Sequence, residues 1–215
     1  YADGISLQNI SREIRRLALN GFEVDAENAH PWLTVHAAHL AGYEATDLMV
    51  YADNTQEIRS AVQADLEVEY ETAKRVLIAA LYGATTQLEL TNIITRSGSD
   101  PELLKLCDKL RTVMTDMRAA RKAILGNARI SKMGVVNVLG KAISSNAKPP
   151  QVIAHILKGY EAFVLRTAVQ GNDSVLSLEH DGWTQDVEPD LEEIQAKFKH
   201  RTGVALLFKV KSFRA

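Results

Sequence analysis

The chain has 215 residues, 46% of them apolar and 24% charged, enough for one domain or two small lobes with a real core and unlike a disordered or fibrous composition. No apolar run approaches the roughly 20 residues that span a bilayer, and the start Tyr1-Ala2-Asp3-Gly4 carries no signal-peptide pattern, so the expectation is an intracellular protein, neither membrane-bound nor secreted. The single Cys107 excludes an internal disulfide and a cysteine-based zinc cluster, while the net charge of -2, from 25 basic and 27 acidic residues, taken whole argues against a nucleic-acid binder.

Residues 5–19 show helical spacing of Ile10, Ile14 and Leu17, and Asn20-Gly21 ends that helix. Phe22-Glu23-Val24-Asp25 alternates like a short strand that delivers Asp25 to its end. Pro31 suits a first helical turn, and residues 32–40 continue as an apolar helix. Residues 55–83 read as one or two helices, the last over 72–82. Ser99-Asp100-Pro101-Glu102 opens a helix that runs to about Leu125, where Gly126 stops it. Residues 126–150 are richer in Gly, Ser and Asn and read as loop. A strongly apolar helix over 151–169 follows, then a turn at Gln170-Gly171-Asn172-Asp173. Residues 175–179 alternate as a strand that hands on His180-Asp181-Gly182 at a tight turn. A helix over 189–200, closed by Gly203, and a strand over 204–210 complete an α+β pattern of few strands among many helices.

The charge is unevenly divided along this order. Between Lys105 and Lys148 stand ten basic residues (Lys105, Lys109, Arg111, Arg118, Arg121, Lys122, Arg129, Lys132, Lys141 and Lys148) against Asp108 and Asp116, a net +8 that leaves -10 for the remainder. A basic lobe in an acidic frame is the electrostatic footprint of a polyanion partner, or a set of solvated helix faces.

Three local features bear on chemistry. Asp25 and Asp181 each end a short strand, and adjacent strands would bring the two carboxylates together. Like charges that close resist joint ionisation unless divalent cations lie between them. Read singly, each aspartate is a turn or cap residue. Lys74, Ile78 and Tyr82 fall at i, i+4 and i+8 along one helix face. The lysine there can meet a phosphate and the tyrosine can stack on a base, or the face is an amphipathic helix with a solvated Lys-Arg head. His36 and His39, at i and i+3, lack a third ligand nearby and read as packing or solvent-facing residues. Trp183 reads as a packing residue and Cys107 as a buried small hydrophobe.

In chain order, strand-Asp25, Lys74-x₇-Tyr82-Gly83 and strand-His180-Asp181 resemble motifs A, B and C of the family A DNA polymerases and the single-subunit, bacteriophage-type RNA polymerases. The spacings of 49 and 107 residues are close to the DNA polymerase layout. The resemblance implies a polymerase-like palm on a small antiparallel sheet, formed by residues 1–65 (motif A) and 150–215 (motif C), with a helical fingers insertion over 66–149 (motif B). It implies a template-directed nucleotidyltransferase that extends a 3′-hydroxyl with nucleoside triphosphates. Asp25 and Asp181 would bind two Mg²⁺, and Lys74 would contact the triphosphate beside Arg75. Tyr82 and Gly83 would sit by the nascent base pair and the templating base, and His180 near the primer terminus. The basic stretch would follow the phosphates of template and primer without reading sequence.

Four positions differ from the DNA enzymes. Tyr70 stands where they carry an arginine four residues before the lysine, and Arg75 follows Lys74 as in the RNA polymerases. Gly182 replaces the glutamate of their His-Asp-Glu, and His30 replaces the glutamate that excludes ribose. The leading expectation is a family A type DNA polymerase. The alternatives are a phage-type RNA polymerase or a subunit of a split polymerase, and a non-catalytic nucleic-acid-binding subunit. Only 24 residues precede Asp25, so the implied arrangement is a fragment, a reduced enzyme, or one chain whose partner supplies the thumb and N-terminal parts.

Overall fold

The computed structural model describes residues 21–84, 87–178, 182–202 and 206–212. They form an α+β chain of two compact units: one gathers the described residues up to Ala29 and from Gly159 onward, the other is His30–Lys158. The sequence reading sets its boundaries at 65/66 and 149/150; the compact units part at 29/30 and 158/159.

The first unit is built on a four-stranded antiparallel sheet in the order β5-β6-β1-β7. Its strands are β1 (Phe22–Ala26), β5 (Val175–Leu178), β6 (Gly182–Gln185) and β7 (Phe208–Ser212). The pairing sets Val24 opposite Trp183 and Asp25 opposite Gly182 on one side of β1, and Glu23 opposite Lys211 and Ala26 opposite Phe208 on the other. Residues directly opposite in an antiparallel pair share a face. One face of the sheet therefore carries Phe22, Val24, Ala26, Trp183 and Phe208, and the other Glu23, Asp25, Thr184, Lys209 and Lys211. Trp183 and Phe208 meet edge to face at 5.6 Å, and Phe198 of the helix Leu191–Thr202 meets Phe208 at 6.2 Å. This aromatic cluster covers the apolar face. The indole N–H of buried Trp183 donates to Gln185 Oε1 at 2.7 Å, which satisfies its one polar atom.

The second unit is mainly helical. In chain order it holds α1 (Ala29–Leu40), α2 (Thr46–Asp53), α3 (Thr55–Leu66), α4 (Tyr70–Tyr82), α5 (Gln87–Arg96), α6 (Leu103–Leu106) and α7 (Asp108–Gly126). The start of α8 (Pro149–Val169) closes this unit and its end enters the sheet unit, where α9 (Leu191–Thr202) follows. The buried stripes of α3 (Ile58, Val62, Leu66), α4 (Val76, Leu77, Ala80, Leu81) and α7 (Leu110, Val113, Met117, Ala120, Ile124) supply the core. Buried Asp116 of α7 ties α2 down: it accepts the Leu48 N–H at 2.8 Å and the Tyr43 hydroxyl at 2.5 Å. Among the described residues no helix is long and apolar enough to cross a membrane.

Several elements depart from the sequence reading. Residues 126–150, expected as loop, contain a three-stranded antiparallel sheet of β2 (Ile130–Ser131), β3 (Gly134–Val136) and β4 (Ala142–Ile143). Strands this short show no alternation, and the glycine that suggested a loop is what permits the pairing: a Cβ on Gly134 would lie 1.9 Å from the Ile143 carbonyl oxygen. The helix expected from 99 to 125 is broken at Cys107, whose buried thiol donates to Asp65 of α3 at 3.3 Å and whose pKa burial pushes up to about 11. The last strand is Phe208–Ser212 and not 204–210, and β6, α2 and α5 are additional elements. The expected helix over 5–19 lies outside the described residues.

The Asp116 hydrogen bond holds the proton on Tyr43 and pushes its pKa up to about 12. An unfolded tyrosine titrates near 10, so this bond contributes its full stability below about pH 10 and loses it as the pH rises through about 12. The stability gap between the wild type and Tyr43→Phe, read by urea denaturation, is expected to narrow across that window.

Candidate functional site

The sheet unit positions Asp25. As the fourth residue of a strand paired on both sides, its backbone is fixed by β6 and β7, and its side chain is only 15% exposed. Asp25 Oδ2 accepts Lys211 Nζ at 2.8 Å, a diagonal cross-strand pair, since Lys211 registers opposite Glu23. On the other flank Gly182 leaves the carboxylate room. A Cβ there would fall 2.9 Å from Asp25 Oδ1 and 2.1 Å from the Val24 carbonyl oxygen. The position where the DNA polymerases carry a glutamate thus accepts no side chain in this backbone. A mostly buried carboxylate facing an ammonium is a donor suited to a cation. His180 and Asp181, the second half of the expected pair, lie outside the described residues.

Sequence reasoning passed over two neighbours on this face. Glu23 shares the face with Asp25, two residues earlier, and is 3% exposed. The period of two in Phe22-Glu23-Val24-Asp25 already contained that signal. Lys211 had none, because its meeting with Asp25 depends on a strand pairing 186 residues apart.

The helical unit positions the motif B residues. On α4, Lys74, Ile78 and Tyr82 are each partly exposed, opposite the buried Ala73, Val76, Leu77, Ala80 and Leu81. Lys74 makes a long 3.4 Å contact with Glu71, and Arg75 is exposed. The helix ends at Gly83 in the left-handed conformation, φ +112°, with its N–H donating to the Ala79 and Ala80 carbonyls. Two expected site residues far apart in sequence come together here: the Tyr82 hydroxyl is hydrogen-bonded to His30 Nδ1, and the rings pack edge to face at 5.5 Å. His30 therefore orients the phenol of Tyr82.

Arg121 is the member of the basic segment that the charge count could not single out. It is buried, and its guanidinium donates to the Ala80 and Leu81 carbonyls in the last turn of α4. Burial first, then the neighbouring Arg118, lowers its pKa. Arg121 braces the end of the helix that carries Tyr82. On α1, burial and then His39 lower the pKa of His36, while His39 Nδ1 pairs with Glu44 at 2.6 Å. Among the described residues no group of three His, Cys, Asp or Glu side chains could hold a metal; the pair implied for Mg²⁺ includes Asp181, which is not among them.

Gly182→Ala drives a Cβ into the backbone of β1 and is expected to lower the unfolding free energy by about 2–3 kcal/mol. Gly126→Ala, at a helix end with nothing within 4 Å, is expected to be neutral or slightly stabilising. Thermal melts of the two variants measure the contrast.

No protein-family model matches this chain and no curated protein does, so the functional reading stands on the residues and their geometry.

Proposed function

We propose that this chain is the palm and fingers portion of a template-directed nucleotidyltransferase of the family A DNA polymerase type. The observation that carries the reading is the pairing of β1 with β6: Asp25, at the end of an internal strand, registers against Gly182, the residue that directly follows His180-Asp181. A strand-end aspartate in register with the residue that follows a His-Asp pair in the sequence is what motifs A and C would require. The partly exposed Lys74-Ile78-Tyr82 face of α4 and the Tyr82–His30 hydrogen bond support the motif B assignment.

In this reading the 3′-hydroxyl oxygen of a primer bonds to the α-phosphorus of a nucleoside triphosphate. The bond from that phosphorus to the bridging oxygen breaks, pyrophosphate leaves, and the hydroxyl proton is lost. Asp25 and Asp181 would hold two Mg²⁺ ions, which supply charge neutralisation for the entering and leaving oxygens. Lys74, held among the described residues by a long contact with Glu71, would turn its ammonium to the triphosphate. Arg75 adds a second cation on the next residue. Tyr82, held by His30, presents a fixed ring face to the nascent base pair, with Gly83 beside it, and His180 falls to the primer terminus. Lys211 neutralises Asp25 and would yield it to the stronger charge of a divalent ion.

The Lys74-Arg75 pair and the imidazole in place of a ribose-excluding glutamate favour a second reading, a phage-type RNA polymerase or one chain of a split enzyme. Asp25→Asn and Asp181→Asn are each expected to abolish primer extension and Mg²⁺-dependent triphosphate binding, measured by gel assay and calorimetry, without changing the thermal melt. Near-normal values in either variant would overturn the assignment in favour of a non-catalytic nucleic-acid-binding subunit. Lys74→Ala should weaken triphosphate use at least tenfold. For the sugar, His30→Glu is expected to shift incorporation toward deoxynucleotides, read as the ratio of the two substrate series in one extension assay. An unchanged ratio removes His30 from sugar selection.

A further inference from the structure

We propose that α7 carries a track for single-stranded nucleic acid, with phosphates on Arg118 and Lys122 and a base seated in the cavity beside Tyr82. Arg111, Thr115, Arg118 and Lys122 are the exposed residues at i, i+4, i+7 and i+11, so they form one stripe opposite the buried face of the helix. Several of the ten basic residues of the segment are engaged within the fold. Arg121 is buried against the end of α4, Lys105 pairs with Glu102 and Arg111 with Asp108. Arg118 and Lys122 enter no hydrogen bond or ion pair among the described residues, and the sequence holds no acidic residue between Asp116 and Glu161. Their Cα atoms are about 6 Å apart along the helix, within reach of successive phosphates of one strand.

Two cavities flank that pair. One, of about 480 Å³, is walled by Tyr82, Leu125, Pro149, Pro150 and Ile153, with Arg118, Arg121 and Lys122 on its charged side. The other, of about 380 Å³, has Leu90, Leu104, Leu110 and Met114 as its apolar floor and shares Arg118. Each falls in the size range of small-molecule sites. An apolar seat with an aromatic ring, next to unpaired cations, matches the two faces of a nucleotide: the base stacks and the phosphate pairs. A duplex turns its bases inward and cannot fill the seats, so the strand is single. The inference deepens the polymerase reading only in naming this strand as the template, and its measurement needs neither triphosphate nor extension.

Fluorescence anisotropy with labelled oligothymidylate and oligouridylate, a duplex of the same length and inorganic polyphosphate of the same charge tests the track. The expected result is that one or both single strands bind more tightly than duplex and polyphosphate, the two strands telling DNA from RNA. Arg118→Ala/Lys122→Ala is expected to weaken that binding at least tenfold and to reduce the salt slope by about 1.4. Both side chains are exposed, so its thermal melt should match the wild type. Arg129→Ala/Lys132→Ala removes the same charge from the β2 region and should weaken binding less. An unchanged affinity in the α7 variant, an equal loss in the two double variants, or a duplex or polyphosphate bound as tightly as single strands overturns the proposal. A chain that binds as described but neither extends a primer nor binds triphosphate sinks the polymerase reading alone.

Discussion

The sheet unit depends on one close approach, that of β6 to β1 at Gly182. The Val24 carbonyl oxygen lies where a Cβ of residue 182 would be, and the Asp25 carboxylate borders the same space. With no side chain there, β1 is buried as an internal strand, hydrogen-bonded to β6 on one side and to β7 on the other. That pairing sends Trp183, Val24 and Phe208 to the aromatic cluster and Glu23 and Asp25 to the opposite face. A register slip of one residue would exchange the two sets, bringing carboxylates against Phe198 and Trp183, so the apolar cluster also fixes where Asp25 points.

The helical unit manages charge differently. Asp116 is buried but accepts two hydrogen bonds that link α7 to the start of α2, and Arg121 is buried but donates to the Ala80 and Leu81 carbonyls in the last turn of α4. Each buried charge is thereby matched by hydrogen bonds, the condition under which burial of a charge is tolerated. The consequence is a sorting of α7 by face. The inward side holds the charges that bind elements together, and the outward side exposes Arg118 and Lys122. The net +8 of the segment overstates what is available to a partner, because several of its cations are engaged within the fold.

Much of the fold was legible along the chain. Start and stop residues and apolar runs located the helical stretches of α3, α4, α7 and α8, and the alternation around Phe22 and Val175 located β1 and β5, because these signals are local to a single element. The breaks were not legible. The helix breaks at Cys107, whose thiol lies against Asp65 of another helix, and β2, β3 and β4 pair over two or three residues each, too few for periodicity to register. In the candidate site, the Lys74-Ile78-Tyr82 face followed from helical geometry alone, whereas the hydrogen bond between Tyr82 and His30, 52 residues apart, followed from none.

The sequence by itself determined the α+β class, the aspartate at the end of the first strand, the face of α4 and the concentration of positive charge between Lys105 and Lys148. These are local properties, set by periods of two and 3.6 residues and by composition. Tertiary structure decided that Lys211 is spent on Asp25 and Arg121 on the end of α4. It also decided that Gly182 borders Asp25, and that Arg118 and Lys122, unpaired among the described residues, border the cavity beside Tyr82. The physical reason is that pairing depends on distances between elements, and those are fixed only when the apolar faces have been buried against one another.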